Sequence, residues 1–186
     1  MFFHQVLTPT YPLFREPQYL LSLANRIVQV ARESKLDIIH AHYAVPHATA
    51  AFLSRQILSG NGQGPRVVTT LHGTDITLVG SDPSYSRIVA FSIEQSDAVT
   101  AVSNSLRAST YAELGVKHPI AVIPNFLDCA IHRRRSRPDL RKRFSGGDDA
   151  TKVVVHVSNF RPVKRVDAVV SIFDRIQKQT PARLLL

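Results

Sequence analysis

The chain has 186 residues, of which 44% are hydrophobic, and this suits a globular protein with a buried core. No apolar stretch approaches the length of a membrane span, the N-terminus lacks the pattern of a secretory signal, and the single Cys129 excludes an internal disulfide. We therefore expect a cytoplasmic protein with no membrane insertion. The net charge of +9 is compatible with anionic partners, including nucleic acid.

Strand and helix patterns alternate along the first two thirds of the chain. Strands are predicted at 37–42, 67–71, 97–102 and 119–123. Helices are predicted at about 18–34, from Pro46 to the breaker-rich loop 60–65, from Pro83 to about Ser96 with Ile88, Phe91 and Ile93 facing inward, and from a Ser103 N-cap to Leu114 before Gly115. These repeated strand–helix–strand units predict an α/β fold with a parallel sheet and helices on both faces.

The alternation stops at 124–128, and a basic segment with a short helix near 140–144 follows. A strand at 153–157, a helix marked by apolar residues from Val166 to Ile176, and a strand at 182–186 then form one further β-α-β unit. One such unit does not bury both of its faces, so we interpret the chain as an internal piece of a longer protein. The predicted domains are 1–128, a connection at 129–150, and the start of a second domain at 151–186.

The connection carries a run of cations: Arg133, Arg134, Arg135, Arg137, Arg141, Lys142 and Arg143. Aromatic residues are not interleaved with them, as stacking on single-stranded bases would require. We favour a solvated basic segment and expect no nucleic-acid partner. Attraction of anionic small molecules into a cleft is a second use of this charge that stays open. A non-enzymatic basic module that binds nucleic acid stays open as an alternative.

Three polar groups stand out against the strands. His72, Gly73, Thr74 and Asp75 directly follow the strand at 67–71, and ligands in open α/β sheets bind at this end of the strands. His40, His42 and His47 surround Tyr43, but no carboxylate or thiolate is near enough in sequence to complete a metal site. Arg161, Lys164 and Arg165 lie between a strand and a helix, where an anion binds readily.

Taken together, six stretches resemble the retaining nucleotide-sugar glycosyltransferases of the GT-B fold: 37–47, 69–77, 92–97, 99–103, 123–126 and 156–165. The resemblance covers nearly the whole chain, in family order. It implies two Rossmann-like domains that face each other across a cleft. This chain would hold most of the acceptor domain, without its first units, and the first β-α-β unit of the donor domain.

The resemblance also implies roles for individual residues. Tyr43, Thr70 and Ser103 would line the acceptor pocket, and catalytic His72 would lie beside the sugar. Gly73, Thr74, Asp75 and Asn125 would border the cleft. Lys164, with Arg161 or Arg165, would bind the donor diphosphate. Many relatives have an arginine five positions before this lysine, where this chain has Asn159.

By the same resemblance, N-acetylglucosamine would pass from UDP-GlcNAc to L-malate in bacillithiol synthesis, with no cofactor and no metal. A lipid, an inositol phosphate or a growing glycan is the alternative acceptor. The family's glycine-rich loop would precede residue 1 and its paired glutamates would follow Leu186, so we expect no turnover from this chain alone. A homo-oligomer is left open.

Overall fold

The computed structural model describes residues 1–8, 18–60 and 64–186. These residues divide into two units, Met1–Phe126 and Leu127–Leu186. The strands of the first unit are β1 (Ile38–His42), β2 (Arg66–Leu71), β3 (Ala98–Ala101) and β4 (Ile120–Val122). Its helices are α1 (Tyr19–Ser34), α2 (Thr49–Leu58), α3 (Ser86–Glu94) and α4 (Asn104–Leu114), with irregular helical turns at Ala44–Ala48 and Asp75–Gly80.

The four strands pair in the order β1-β2-β3-β4, and every pairing is parallel. A helix follows each of the first three strands, as a parallel connection requires. The predicted Rossmann-like α/β fold is therefore confirmed. The described strands and helices of this unit agree with the predicted ones to within three residues at each end. The largest differences are the starts of α2 and α3, which each lie three residues later than predicted.

One face of this sheet is buried and the other is open. Burial alternates along β1, β2 and β3, so that Ile39, Val67 and Val99 share the covered face with Leu71 and Ala101. Helix residues such as Ala51, Val89, Ile93 and Leu106 complete two hydrophobic clusters on that side. The predicted helix cover on both faces is thus not found in the described residues. Alternating strands of this kind bury a single face.

Two details of α3 also differ from the prediction. Ile93 is buried as expected, whereas Ile88 and Phe91 are exposed, and the inward residues are Val89 and Ser92. The Ser92 hydroxyl can be buried because it hydrogen-bonds Thr49 Oγ1 at 2.8 Å. The prediction of inward residues counted only apolar side chains, and it therefore missed this serine.

The second unit contains α5 (Pro138–Ser145), β5 (Lys152–Val155), a 3₁₀ turn at Pro162–Lys164, α6 (Val166–Gln177) and β6 (Ala182–Leu185). β5 and β6 pair in parallel, which confirms the predicted β-α-β unit. Helix α5, predicted within the basic connection, contacts both strands and belongs to this unit. No helix in the described part of the chain is long and apolar enough to cross a membrane.

Candidate active site

Several polar residues of the first unit gather where β1, β2 and β3 end. His42, Thr70 and Thr100 occupy matching positions on the open face, because His42 pairs with Thr70 and Thr70 pairs with Thr100. His72 follows directly after β2. Register therefore brings residues that are about 30 positions apart in sequence to one edge of the sheet.

Two histidines form a direct pair at this edge. His42 Nδ1 lies 2.7 Å from His72 Nε2, a hydrogen-bonding distance. The two rings stack, with centroids 5.0 Å apart and an interplanar angle of 29°. His42 is exposed and His72 is half-buried, so the pair faces solvent on one side.

A second polar chain runs across the open face. His40 Nε2 lies 2.8 Å from Thr70 Oγ1, which in turn lies 2.8 Å from Thr100 Oγ1. Burial lowers the pKa of His40 below its usual value, and the nearby imidazoles of His42 and His72 lower it further. This histidine therefore favours its neutral form, in which Nε2 either donates a hydrogen bond to the Thr70 hydroxyl or accepts one from it.

Asp75 is the buried centre of the turn after β2. Its side chain is 2% exposed. One carboxylate oxygen accepts the backbone N–H groups of His72 and Gly73, at 3.3 and 3.0 Å, and the other accepts the N–H of Ala44 at 3.1 Å. Asp75 thus ties the loop after β1 to the loop after β2 and positions His72 by its backbone.

Gly73 supplies the conformation that this turn needs. Its φ is +111°, and nothing lies within 4 Å of where a Cβ would stand. A side chain would be strained by backbone conformation rather than by crowding. The neighbouring Thr74 is exposed, and the Gly73 carbonyl accepts hydrogen bonds from the Ile76 and Thr77 amides.

Tyr43 turns the chain out of β1 and over His72. It has a φ of +76°, and its N–H donates to the Thr70 carbonyl at 2.9 Å. Its ring centroid lies 4.9 Å from that of His72 and 6.1 Å from that of His47. A cavity of about 380 Å³ adjoins these rings; it is lined by Leu23, Ile27, Ile39, His40, Ala41, His42, Tyr43 and His47.

Ser103 and Asn125 follow the next two strands. Ser103 is the N-cap of α4, as predicted, and its Oγ accepts the Leu106 N–H at 3.1 Å. The Ser103 hydroxyl keeps its own proton to donate. Asn125 is exposed three residues after β4.

In the second unit, the predicted anion-binding residues surround the start of α6. Arg161 precedes the 3₁₀ turn, Lys164 ends it, and Arg165 is the N-cap of α6 with a φ of +47°. All three side chains are exposed. Among the described residues, none of the three makes a side-chain hydrogen bond or ion pair, so their charges are available to a ligand.

Comparison with known proteins identifies the class of protein. Residues 2–131 match the model of glycosyltransferase family 4. The chain belongs to glycosyltransferase family 4. It is also 44% identical, over all 186 residues, to N-acetyl-alpha-D-glucosaminyl L-malate synthase of Bacillus anthracis. The chain spans 48% of the length of that relative.

The family 4 match covers the first unit and its site, but not Arg161, Lys164 and Arg165.

Within the first unit, the structure brings together His72, Tyr43 and Thr70, which the sequence had singled out. It adds Thr100, which sequence analysis missed, and gives His42 a contact with His72. Thr100 could have been found from the sequence, because the alternation of side chains along β3 places it on the same face of the sheet as Thr70 in β2. The assigned roles stay predictions, and so does the expectation that no metal takes part.

Proposed function

We propose that this family 4 chain is part of a retaining glycosyltransferase that transfers N-acetylglucosamine from UDP-GlcNAc to the hydroxyl of L-malate, a step of bacillithiol synthesis. The observation that carries the proposal is the 44% identity over the whole chain to a relative named for this product. The chemistry of the polar cluster at the ends of β1, β2 and β3 supports it.

The acceptor side suits a small, hydroxylated dianion. Thr70, Thr100 and Ser103 offer hydroxyl groups, and α4 begins beside Ser103 with no acidic residue in its first turn. The N-terminus of a helix favours a carboxylate through its free N–H groups and its dipole. We therefore place the malate carboxylates near α4 and the hydroxyls, with Tyr43 at the side of the pocket.

The proposed chemistry is attack on the face from which the leaving group departs. The bond between the sugar C1 and the UDP oxygen breaks, the malate oxygen bonds to C1 on the same face, and the malate proton passes to the departing phosphate. A carboxylate nucleophile of the glycosidase type is not needed. The buried Asp75 is a poor candidate for that role, because both of its oxygens accept backbone N–H groups. His72 would lie beside the sugar and stabilise the charge that develops.

On the donor side, we assign the diphosphate to Lys164, assisted by Arg161 or Arg165. Their exposed charges would stabilise the negative charge on the departing UDP. Protein cations would then take the place of a metal ion. The expected cytoplasmic location and an oligomeric state stay predictions.

The acceptor assignment is tested by titrating the 186-residue chain with L-malate and following its amide NMR spectrum. We expect saturable shifts at Thr70, Thr100 and Ser103, and a loss of affinity of about tenfold in Thr70→Val, as removal of one hydrogen bond produces. Thr180→Val in the second unit is the control. Saturable binding of inositol phosphate without binding of malate would instead support the alternative acceptor.

The donor assignment is tested with UDP in the same way. Lys164→Gln should weaken UDP binding, whereas Lys178→Gln, just beyond the other end of α6, should not. Equal effects of the two variants would show that only general positive charge matters.

The chain spans 48% of its relative, and we expect no UDP release from a mixture of UDP-GlcNAc and L-malate. Detectable release would refute that expectation.

A further inference from the structure

The pair formed by His42 and His72 constrains where each ring holds its proton. The 2.7 Å between His42 Nδ1 and His72 Nε2 leaves room for one hydrogen between them. A neutral imidazole carries one N–H, and its other nitrogen is an acceptor. The direction of this single hydrogen bond therefore decides whether the remaining nitrogen of His72, Nδ1, donates or accepts.

We propose that His42 is the positioning residue that holds His72 as its Nε2–H tautomer, so that His72 presents Nδ1 to a ligand as an acceptor. In this arrangement His72 Nε2–H donates to His42 Nδ1, and both rings adopt the Nε2–H tautomer that neutral histidine prefers in water. The opposite direction would place both rings in the less favoured tautomer. The relevance of this to catalysis rests on the proposed function, in which His72 lies beside the sugar.

The surroundings of the pair support this assignment. Asp75 holds the backbone of His72, but its carboxylate oxygens are engaged with backbone amides and do not select a tautomer. The Tyr43 ring is tilted by 43° against the His72 ring, with 4.9 Å between centroids. Within the described ranges, His42 is the residue that hydrogen-bonds an imidazole nitrogen of His72. A hydrogen-bond partner on one ring nitrogen fixes whether the other nitrogen donates or accepts.

Two substitutions separate hydrogen bonding from ring stacking. The side-chain oxygen of asparagine branches from Cγ, as Nδ1 of histidine does, so His42→Asn keeps an acceptor near the same place. His42→Phe keeps an aromatic ring against His72 and removes the acceptor. A purely structural role for the ring would be preserved by phenylalanine, whereas a positioning role would be preserved by asparagine.

The experiment is a long-range ¹H–¹⁵N correlation spectrum of the ¹⁵N-labelled 186-residue chain, recorded without ligand at alkaline pH so that the imidazoles are neutral. In the unmodified chain and in His42→Asn, we expect His72 to show a protonated Nε2 and a bare Nδ1. In His42→Phe, we expect the His72 nitrogen shifts to move from those of a single tautomer toward the averaged values of the exposed His132, which samples both tautomers with Nε2–H in the majority and serves as the internal reference.

A protonated Nδ1 on His72 in the unmodified chain would overturn the proposal, and so would unchanged His72 shifts in His42→Phe. The amide spectrum of each variant shows whether it folds, and His42→Asn supplies a second test if His42→Phe does not. Because no ligand is present, the result is independent of malate or UDP binding. A failure of the proposed function is therefore seen separately, in the titrations described above.

Discussion

Replacing Asp75 with asparagine should strongly destabilise the first unit. The carboxylate accepts three backbone N–H groups while only 2% exposed. In Asp75→Asn one acceptor becomes an NH₂ donor, and in either orientation that donor faces at least one backbone N–H. The less costly orientation loses only the hydrogen bond from the Ala44 N–H. It leaves two buried donors, this N–H and the new NH₂ group, without an acceptor.

The size of the effect follows from these contacts. Losing one hydrogen bond to a charged group removes about 1.5–3 kcal/mol, and an unpaired buried donor adds a further penalty of about 1–3 kcal/mol. We therefore expect the free energy of unfolding to fall by at least about 3 kcal/mol. With a urea m-value of about 2 kcal/mol/M, the unfolding midpoint would fall by at least about 1.5 M.

Far-UV circular dichroism suits the urea titration, because the chain contains no tryptophan. Hydrogen exchange at the amides of Ala44 and Gly73 gives the local readout, and both should exchange faster in Asp75→Asn. Asp82→Asn is the matched control, because Asp82 is exposed and its Oδ1 accepts one nearby N–H, which asparagine can also do. A change below about 0.5 kcal/mol in Asp75→Asn, with unchanged protection of Gly73, would refute this account of the turn.

Three further predictions concern the same unit. Gly73→Ala should lower the free energy of unfolding by about 1–3 kcal/mol because of the positive φ, whereas Gly60→Ala, which also has open space around it, should not, as urea titration will show. Ser103→Ala should lower it by about 1 kcal/mol through loss of the N-cap, and the exposed Ser105→Ala should change it by less than half as much. The pKa of His40 is lowered by folding, so the unfolded chain takes up this proton more readily, and stability should decrease as pH falls through about 6.5. His40→Asn should reduce that decrease between about pH 7.5 and pH 5.5, and an unchanged slope would contradict the assignment.

Much of the first unit could be predicted because local rules act on neighbouring residues. Ser103 before a helical pattern and Gly115 after it correctly marked both ends of α4, since an N-cap and a left-handed C-terminal residue are local features. The strand at 67–71 was recognisable from its apolar run. The start of α3 was predicted too early, at Pro83, because a proline is compatible with a first helical turn but does not require one.

The candidate site was less predictable. His72 and Asp75 stood out because they directly follow a strand, but the sequence alone did not separate a residue open to the pocket from one buried beneath it. One of the backbone N–H groups that the buried Asp75 accepts belongs to Ala44, which is 31 positions away. The partner of His72 is likewise 30 positions away, at His42.

The amino-acid sequence by itself determined the α/β class, the strand and helix order and the turn chemistry after β2, because periodicity, capping and glycine conformation act over a few residues. The tertiary structure decided which face of the sheet is covered and which histidine touches which. Those contacts depend on the parallel register of β1, β2 and β3. The register pairs residues that are far apart in sequence, and the packing of whole strands decides which residues are paired, not a local sequence pattern.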